Sequence, residues 1–237
     1  MSPQELFSEL HAFFVENADP AIVEKYSRYF KEGYPGYGLA KGLFEIKIDE
    51  LSKYPGMNLD LVLQTAPLLL GTGKYEETSS LIRLTLNFHK QFTKETFHEV
   101  EKWFGTGITN WAHTDYICGD VMFLFFKKGI ITMTDLSDWR NAKNKFQRRA
   151  VPVSLIKPMK RNTHFLPYFE FLDPMMMDSE REVHQGLGWF LREAWKKQPE
   201  VTEEFLMKWK NNAARLIFQY ATEKMTAEDK QRFRREK

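Results

Sequence analysis

Apolar residues recur along the chain at steps of three and four, the spacing of an amphipathic helix. In "PQELFSELHAFFVENAD" the stripe is Leu6, Leu10, Phe13 and Phe14, and it ends near Asn17-Ala18-Asp19-Pro20. A second helix is predicted at 20–32 and stops at "GYPGYG", where Gly33, Pro35, Gly36 and Gly38 break it. Further helices are predicted at 39–53, 58–70, 74–89, 93–104, 109–127, 134–156, 161–172, 179–197, 200–211 and 212–224. The joints are short: Pro55-Gly56, Gly71-Thr72-Gly73, Gly105-Thr106-Gly107, Gly129, Asp173-Pro174 and Gln198-Pro199. No run alternates with period two; "GIITM" is the nearest and is too isolated to build a sheet.

The expected fold is therefore all-α, one domain over residues 1–237. A rhythm of two helices per roughly 35–45 residues fits an α-solenoid of HEAT-like helical hairpins. Its inner helices would form one concave surface. An irregular helical bundle is the alternative, since no repeat consensus is visible.

Composition narrows the setting. Twenty Phe, nine Tyr and six Trp are too many large apolar side chains for a disordered chain. The longest apolar run, "VMFLFF" at 121–126, is too short to span a bilayer. The first residues carry Glu5 and Glu9 and no basic segment, so no secretory signal is expected. Cys118 is the sole cysteine, which excludes an internal disulfide and suits a reducing cytoplasm. A net charge of +2 predicts no partner by itself.

The distribution of charge says more. Residues 140–161, "RNAKNKFQRRAVPVSLIKPMKR", hold eight Lys or Arg and no acid. Such a stripe, lining a concave groove, is the usual footprint of phosphate binding. The competing reading is a solvated helix face whose acids come from elsewhere in the chain. Four other features carry no chemistry. "GTGK" at 71–74 lacks the first glycine of a phosphate loop, has Tyr75 where Ser or Thr should hold magnesium, and follows a helix; it reads as a helix end and turn. His11, His89, His98, His113, His164 and His184 never fall at ligand spacing, so neither metal nor cofactor is expected. Cys118, in an apolar helix, reads as a core thiol. "DPMMMD" at 173–178 reads as a turn with apolar filler.

The stretch "TNWAHTDYICGD" at 109–120 is different. Trp111 and Asp115 are one helical turn apart, on one face, at the head of an apolar helix. Taken alone, Trp111 packs in the core and Asp115 faces water or steadies a helix start.

Four segments together resemble the DNA alkylation repair (AlkD-like) family of HEAT-like-repeat DNA glycosylases. They are "YFKEGYPGYGL" at 29–39, "NWAHTDYI", "NKFQRRAVPVSL" at 144–155 and "GLGWFLREAW" at 186–195. They are similar to the family's Tyr…Pro…Gly stretch, its Trp-x-x-x-Asp helix, its Asn…Arg-Arg-Ala helix and its Gly-Trp-x-Leu-Arg-Glu segment. The chain departs from the pattern after Gly38, where "LAKGLFEIKIDEL" lacks the usual Pro and Arg, and at Gly186, where a basic residue is common.

The resemblance implies cleavage of the N-glycosidic bond of cationic purines such as 3-methyladenine and 7-methylguanine in duplex DNA. A single carboxylate suits that chemistry. An ordinary glycoside needs an acid for its leaving group, but an alkylated purine is already positive and leaves neutral. Asp115 would stabilise the developing charge on the sugar and orient water. Trp111 would offer an indole face to that cation, worth roughly 0.5–2 kcal/mol, and Trp189 would supply a second aromatic wall. Arg149, with Arg148 beside it, would hold backbone phosphate; Lys143, Lys145, Lys157, Lys160 and Arg161 complete the DNA-binding candidates. Tyr29 would line the cleft or pack. Gly186 and Gly188 would admit DNA or a neighbouring helix. The protein is expected to be a monomer whose partner is alkylated duplex DNA. The readings left beside this one are a non-catalytic DNA-binding repeat protein and a protein-interaction scaffold. The tail, "EDKQRFRREK", reads as a frayed basic helix end.

Overall fold

The computed structural model describes residues 1–31 and 33–236. Among these no strand occurs, and the fold is all-α. The helices are α1 (Pro3–Glu16), α2 (Pro20–Ser27), α3 (Leu43–Ser52), α4 (Leu59–Gly71), α5 (Tyr75–Asn87), α6 (Lys94–Thr106), α7 (Trp111–Tyr116), α8 (Phe123–Lys127), α9 (Lys145–Met159), α10 (Leu166–Leu172), α11 (Arg181–Trp195), α12 (Pro199–Trp209), α13 (Arg215–Ala221) and α14 (Ala227–Arg232). No helix of the described residues is long and apolar enough to cross a membrane.

The chain forms two compact units, residues 1–117 and 118–237. In the first, the stripe Leu6, Leu10 and Phe14 of α1 is fully buried, and α1 packs on α4, which also meets α5 and α6. Caps written in the sequence set these helices: Ser2 and Glu5 form a capping box, Asp19 caps α2, Asn58 caps α4 and Thr93 caps α6. In the second unit α11 lies between α9 and α13, its most extensive partners. Within each unit a helix packs on the next but one, as stacked hairpins do.

Gly188 is what lets α13 close on α11. A Cβ there would stand 2.4 Å from Tyr220 Cβ and 2.7 Å from the Ile217 carbonyl oxygen. At Gly186 a Cβ would lie 3.3 Å from atoms of Arg149 and Val153 on α9. Both small residues thus serve helix packing.

Two predicted helices are divided and a third starts late. The 109–127 stretch is α7, a wide π-type turn at Ile117–Met122, and α8. A π turn shifts the backbone register, and the carbonyl of Gly119 inside it accepts from the Lys157 ammonium. The 134–156 stretch begins as two 3-10 turns, Met133–Leu136 and Asp138–Asn141. Its α-helix starts only after Asn144, whose side chain caps the Phe146 amide at 2.8 Å. The helix expected at 161–172 is delayed to Leu166 by an Asn162 turn, in which the His164 amide donates to Asn162 Oδ1 at 2.9 Å. Of the predicted 20–32 helix, α2 covers Pro20–Ser27, and residue 32 lies outside the described residues. The "GTGK" segment does end α4 and turn through Gly73 at φ +67°. Cys118 is buried.

Candidate functional site

Asn110 starts α7. Its Oδ1 accepts from the His113 amide at 2.9 Å, and its amide nitrogen meets His113 Nδ1 at 2.8 Å. The His113 ring stacks on Tyr75 of α5 at 4.4 Å between centroids. Its Nε2 lies 3.1 Å from the Tyr75 carbonyl oxygen and 3.0 Å from Ser79 Oγ. A carbonyl only accepts, so the network assigns the proton to Nε2 and leaves Nδ1 to accept from Asn110. Burial holds this imidazole neutral, with its pKa pushed down from 6.5 to about 4. The first turn of α7 is therefore clamped to α5 through uncharged groups.

That clamp fixes the two residues beside it. Trp111 is 41% exposed, yet it is held: its ring stacks on Phe30 at 5.7 Å and 19°, and Nε1 donates to the Tyr29 backbone oxygen at 3.3 Å. Asp115, one turn later, is partly exposed. The packing role for Trp111 read from periodicity fails, because a core indole would be enclosed. Tyr29 contributes its backbone here; its side chain is exposed, under the Arg28 guanidinium at 4.8 Å, and its hydroxyl accepts from Arg28 at 2.8 Å.

The second unit holds the basic stripe, and acids from outside that stretch meet much of it. Arg148 pairs with Asp178 (2.6 Å from Nε, 3.3 Å from Nη2) and also donates to the Ala142 and Lys143 carbonyls. Arg149 is buried and donates to the Glu182 carbonyl at 2.9 Å. Lys145 meets the Glu182 carboxylate at 3.0 Å. Burial would raise that carboxyl, but Lys145 and Arg149 hold it below its ordinary range. Lys160 and Lys196 meet Glu193 at 2.6 and 2.7 Å. There too burial opposes, and the two ammonium groups win, holding Glu193 at about 2. Lys157 reaches Gly119 and Asp120, and Arg161 stacks on Phe123 at 4.8 Å. Lys143, Lys157, Lys160 and Arg161 are the exposed members of the predicted set. Trp189 is half-buried on α11, next to Gly188. No group of three or more His, Cys, Asp or Glu that could hold a metal occurs among the described residues.

Sequence reasoning missed His113, Ser79 and Tyr75, and it missed Glu76 and Glu77 of α5. Glu76 accepts from the Tyr37 and Gly38 amides at 2.8 and 3.0 Å and from the Tyr34 hydroxyl at 3.1 Å. Glu77 accepts from the Tyr37 hydroxyl at 2.7 Å and pairs with His11 at 2.8 Å. Together they anchor the 33–38 loop on α5. The paired acids "EE" were visible, but only the fold reveals what they face.

A family model described as DNA alkylation repair enzyme matches residues 10–225. Two solved structures share the fold. A predicted DNA alkylation repair enzyme from Enterococcus faecalis superposes with a TM-score of 0.73 at 15% identity, over 89% of this chain and 98% of that one. AlkD2 from Streptococcus mutans superposes at 0.58 and 17% identity, over 86% and 100%. Among curated proteins none matches the sequence.

Proposed function

This chain belongs to the DNA alkylation repair enzyme family, and from that premise we propose that it is a DNA glycosylase excising cationic N-alkylated purines from duplex DNA. The observation that carries this reading is Trp111: an indole fixed by Phe30 and Tyr29 yet left 41% exposed, one turn from Asp115. A large aromatic held still at the surface beside a carboxylate suits contact with a cation.

In the proposed reaction the C1′–N bond of the lesion breaks, its electron pair leaving with the purine, which departs neutral. Positive charge collects on the deoxyribose. Asp115 opposes that charge and orients the water whose oxygen bonds to C1′, the water's proton passing to the carboxylate or to solvent. Trp111 offers its face to the sugar cation. In the second unit, Trp189 and the exposed cations Lys143, Lys157, Lys160 and Arg161 are the proposed DNA contacts. Arg148 and Arg149 are tied to Asp178 and to the Glu182 carbonyl, so any phosphate they bind shares them with those groups.

The test is release of free methylated base from duplex DNA carrying N-methylpurines. The wild type is expected to release it. Asp115→Asn is expected to lower the rate by on the order of a hundredfold or more, the scale of losing a positioned catalytic group, while binding to lesion DNA stays close to wild type. Equal loss of binding and release would assign Asp115 to folding instead. One observation favours a non-catalytic binding or scaffold role: the acids Asp178, Glu182 and Glu193 neutralise part of the stripe. Salt-sensitive DNA binding without base release would select the non-catalytic binder, and no DNA binding would select the scaffold.

A further inference from the structure

Within the second unit, α10 and α12 leave a groove between them with a volume of ≈ 380 Å³, in the range of small binding sites. Each helix lines it with one face, at positions i, i+3, i+4 and i+7. From α10 these are Leu166, Phe169, Glu170 and Asp173; from α12 they are Val201, Glu204, Phe205 and Lys208. Phe169 and Phe205 are buried and stack at 4.9 Å and 13°, forming an apolar floor. Leu166 lines the groove yet is 49% exposed. A lone exposed leucine is ordinary, but one beside an open apolar floor marks a face that a partner can cover.

The charge around that floor has one sign. Asp173 meets Lys208 at 2.6 Å and accepts from Trp209 Nε1 at 2.9 Å, which cancels one pair of charges and closes one end. Glu170 and Glu204 are exposed, and neither has an ion-pair partner among the described residues. Past Val201 the groove continues into a second hollow of ≈ 330 Å³, lined by Gln198, Pro199 and Glu200. Glu200 is exposed and unpaired as well. The chain as a whole carries +2, so any cation drawn here answers to local charge. The same acids repel nucleic-acid phosphate.

We infer that this groove docks a basic amphipathic helix of a partner protein. Apolar side chains at three- and four-residue spacing lie on Phe169, Phe205 and Leu166, and Lys or Arg stands opposite Glu170, Glu204 and Glu200. This chain's own basic tail is already engaged: Phe233 is fully buried, Arg232 pairs with Glu203 and Arg235 donates to the Ala213 carbonyl. The inference is independent of the excision reading, since it needs neither DNA nor catalysis.

The experiment titrates the full chain into a dye-labelled synthetic helix of about four turns, with leucines at three- and four-residue spacing and lysines elsewhere, and follows fluorescence anisotropy. The same helix with glutamates for lysines, and a scrambled lysine peptide, are the comparisons. The lysine helix is expected to bind about tenfold more tightly than either. Glu170→Gln and Glu204→Gln are each expected to weaken it about twofold to fivefold, the scale of an exposed ion pair. Glu170→Lys combined with Glu204→Lys should weaken it by at least about tenfold, because like charges then meet. Leu166→Ser, again at an exposed position, is expected to cost about fivefold. Glu228→Gln, at an exposed acid of α14, is expected to leave the affinity unchanged. No binding, equal affinity for the lysine and glutamate helices, an unchanged affinity in the double reversal, or an equal loss in Glu228→Gln would overturn the inference. So would a dimer in sedimentation that Leu166→Ser dissolves, which would give the groove to a second copy of the chain.

Discussion

Arg148 and Arg149 are neighbours in sequence with different attachments. Arg148 forks onto Asp178, with side chains 15% and 9% exposed, and closes the loop before α9 through the Ala142 and Lys143 carbonyls. Arg149 is buried to 6% and spends one nitrogen on a carbonyl of α11. Losing one partner of a largely buried pair leaves the other charge without compensation, which costs more than the pair contributes. Arg148→Ala is therefore expected to destabilise the protein by roughly 3 kcal/mol, read as a lower urea midpoint. A change below about 0.5 kcal/mol, the scale of an ordinary surface substitution, would show that Asp178 finds water or another donor. A phosphate-binding role alone predicts that small change, so the measurement sorts structure from DNA contact at this residue.

At the scale of elements, α7 is short, six residues ending in a π turn, and its position depends on the clamp through His113. The folded imidazole is held at about 4 against an ordinary 6.5, so between those values the unfolded chain binds the extra proton. Stability from this group is present above pH 6.5 and is lost as pH falls toward 4, by roughly 3 kcal/mol in total. Denaturant midpoints are expected to drop over that window, and His113→Gln is expected to lower stability at neutral pH while flattening this part of the profile. An identical profile in the variant would assign the acid sensitivity to other groups. The Glu193 carboxyl, held at about 2 by Lys160 and Lys196, weakens the fold as pH falls below the ordinary carboxylate range, beneath the main histidine window. Because α7 carries Trp111 and Asp115, excision under the proposed reading should fail with the clamp at low pH.

For the whole molecule, the charge that matters to DNA is smaller than the stripe suggests. Eight basic residues lie in 140–161, but Arg148 and Lys145 are part-buried against acids from outside it and Arg149 is buried. Each phosphate neutralised contributes about 0.9 to the slope of log affinity against log salt. A slope of about −3 to −4 is expected, reflecting the exposed cations, where eight full contacts would give about −7. A slope near −7 would mean that DNA displaces the internal acids. Arg161→Ala should lower the magnitude by about one.

Much of the fold was legible because helix-forming signals are local. The Leu6, Leu10 and Phe14 stripe, the Ser2, Asp19, Asn58 and Thr93 caps and the glycine joints act within a turn or two of themselves, so the all-α class, most of the helices and the family resemblance follow from sequence. The same locality explains the errors of extent: nothing near 117–122 announces a π turn, whose Gly119 carbonyl is met by Lys157 from another helix. Trp111 and Asp115 were identifiable as a pair, but whether the indole was enclosed or exposed depended on Phe30 and Tyr29, some eighty residues earlier. The stripe looked unopposed because its acids lie about thirty residues downstream and meet it only across packed helices. The groove between α10 and α12 was invisible for the same reason. Its walls come from helices separated in sequence by α11, and only tertiary packing stacks Phe169 on Phe205 and turns two helix faces into one surface.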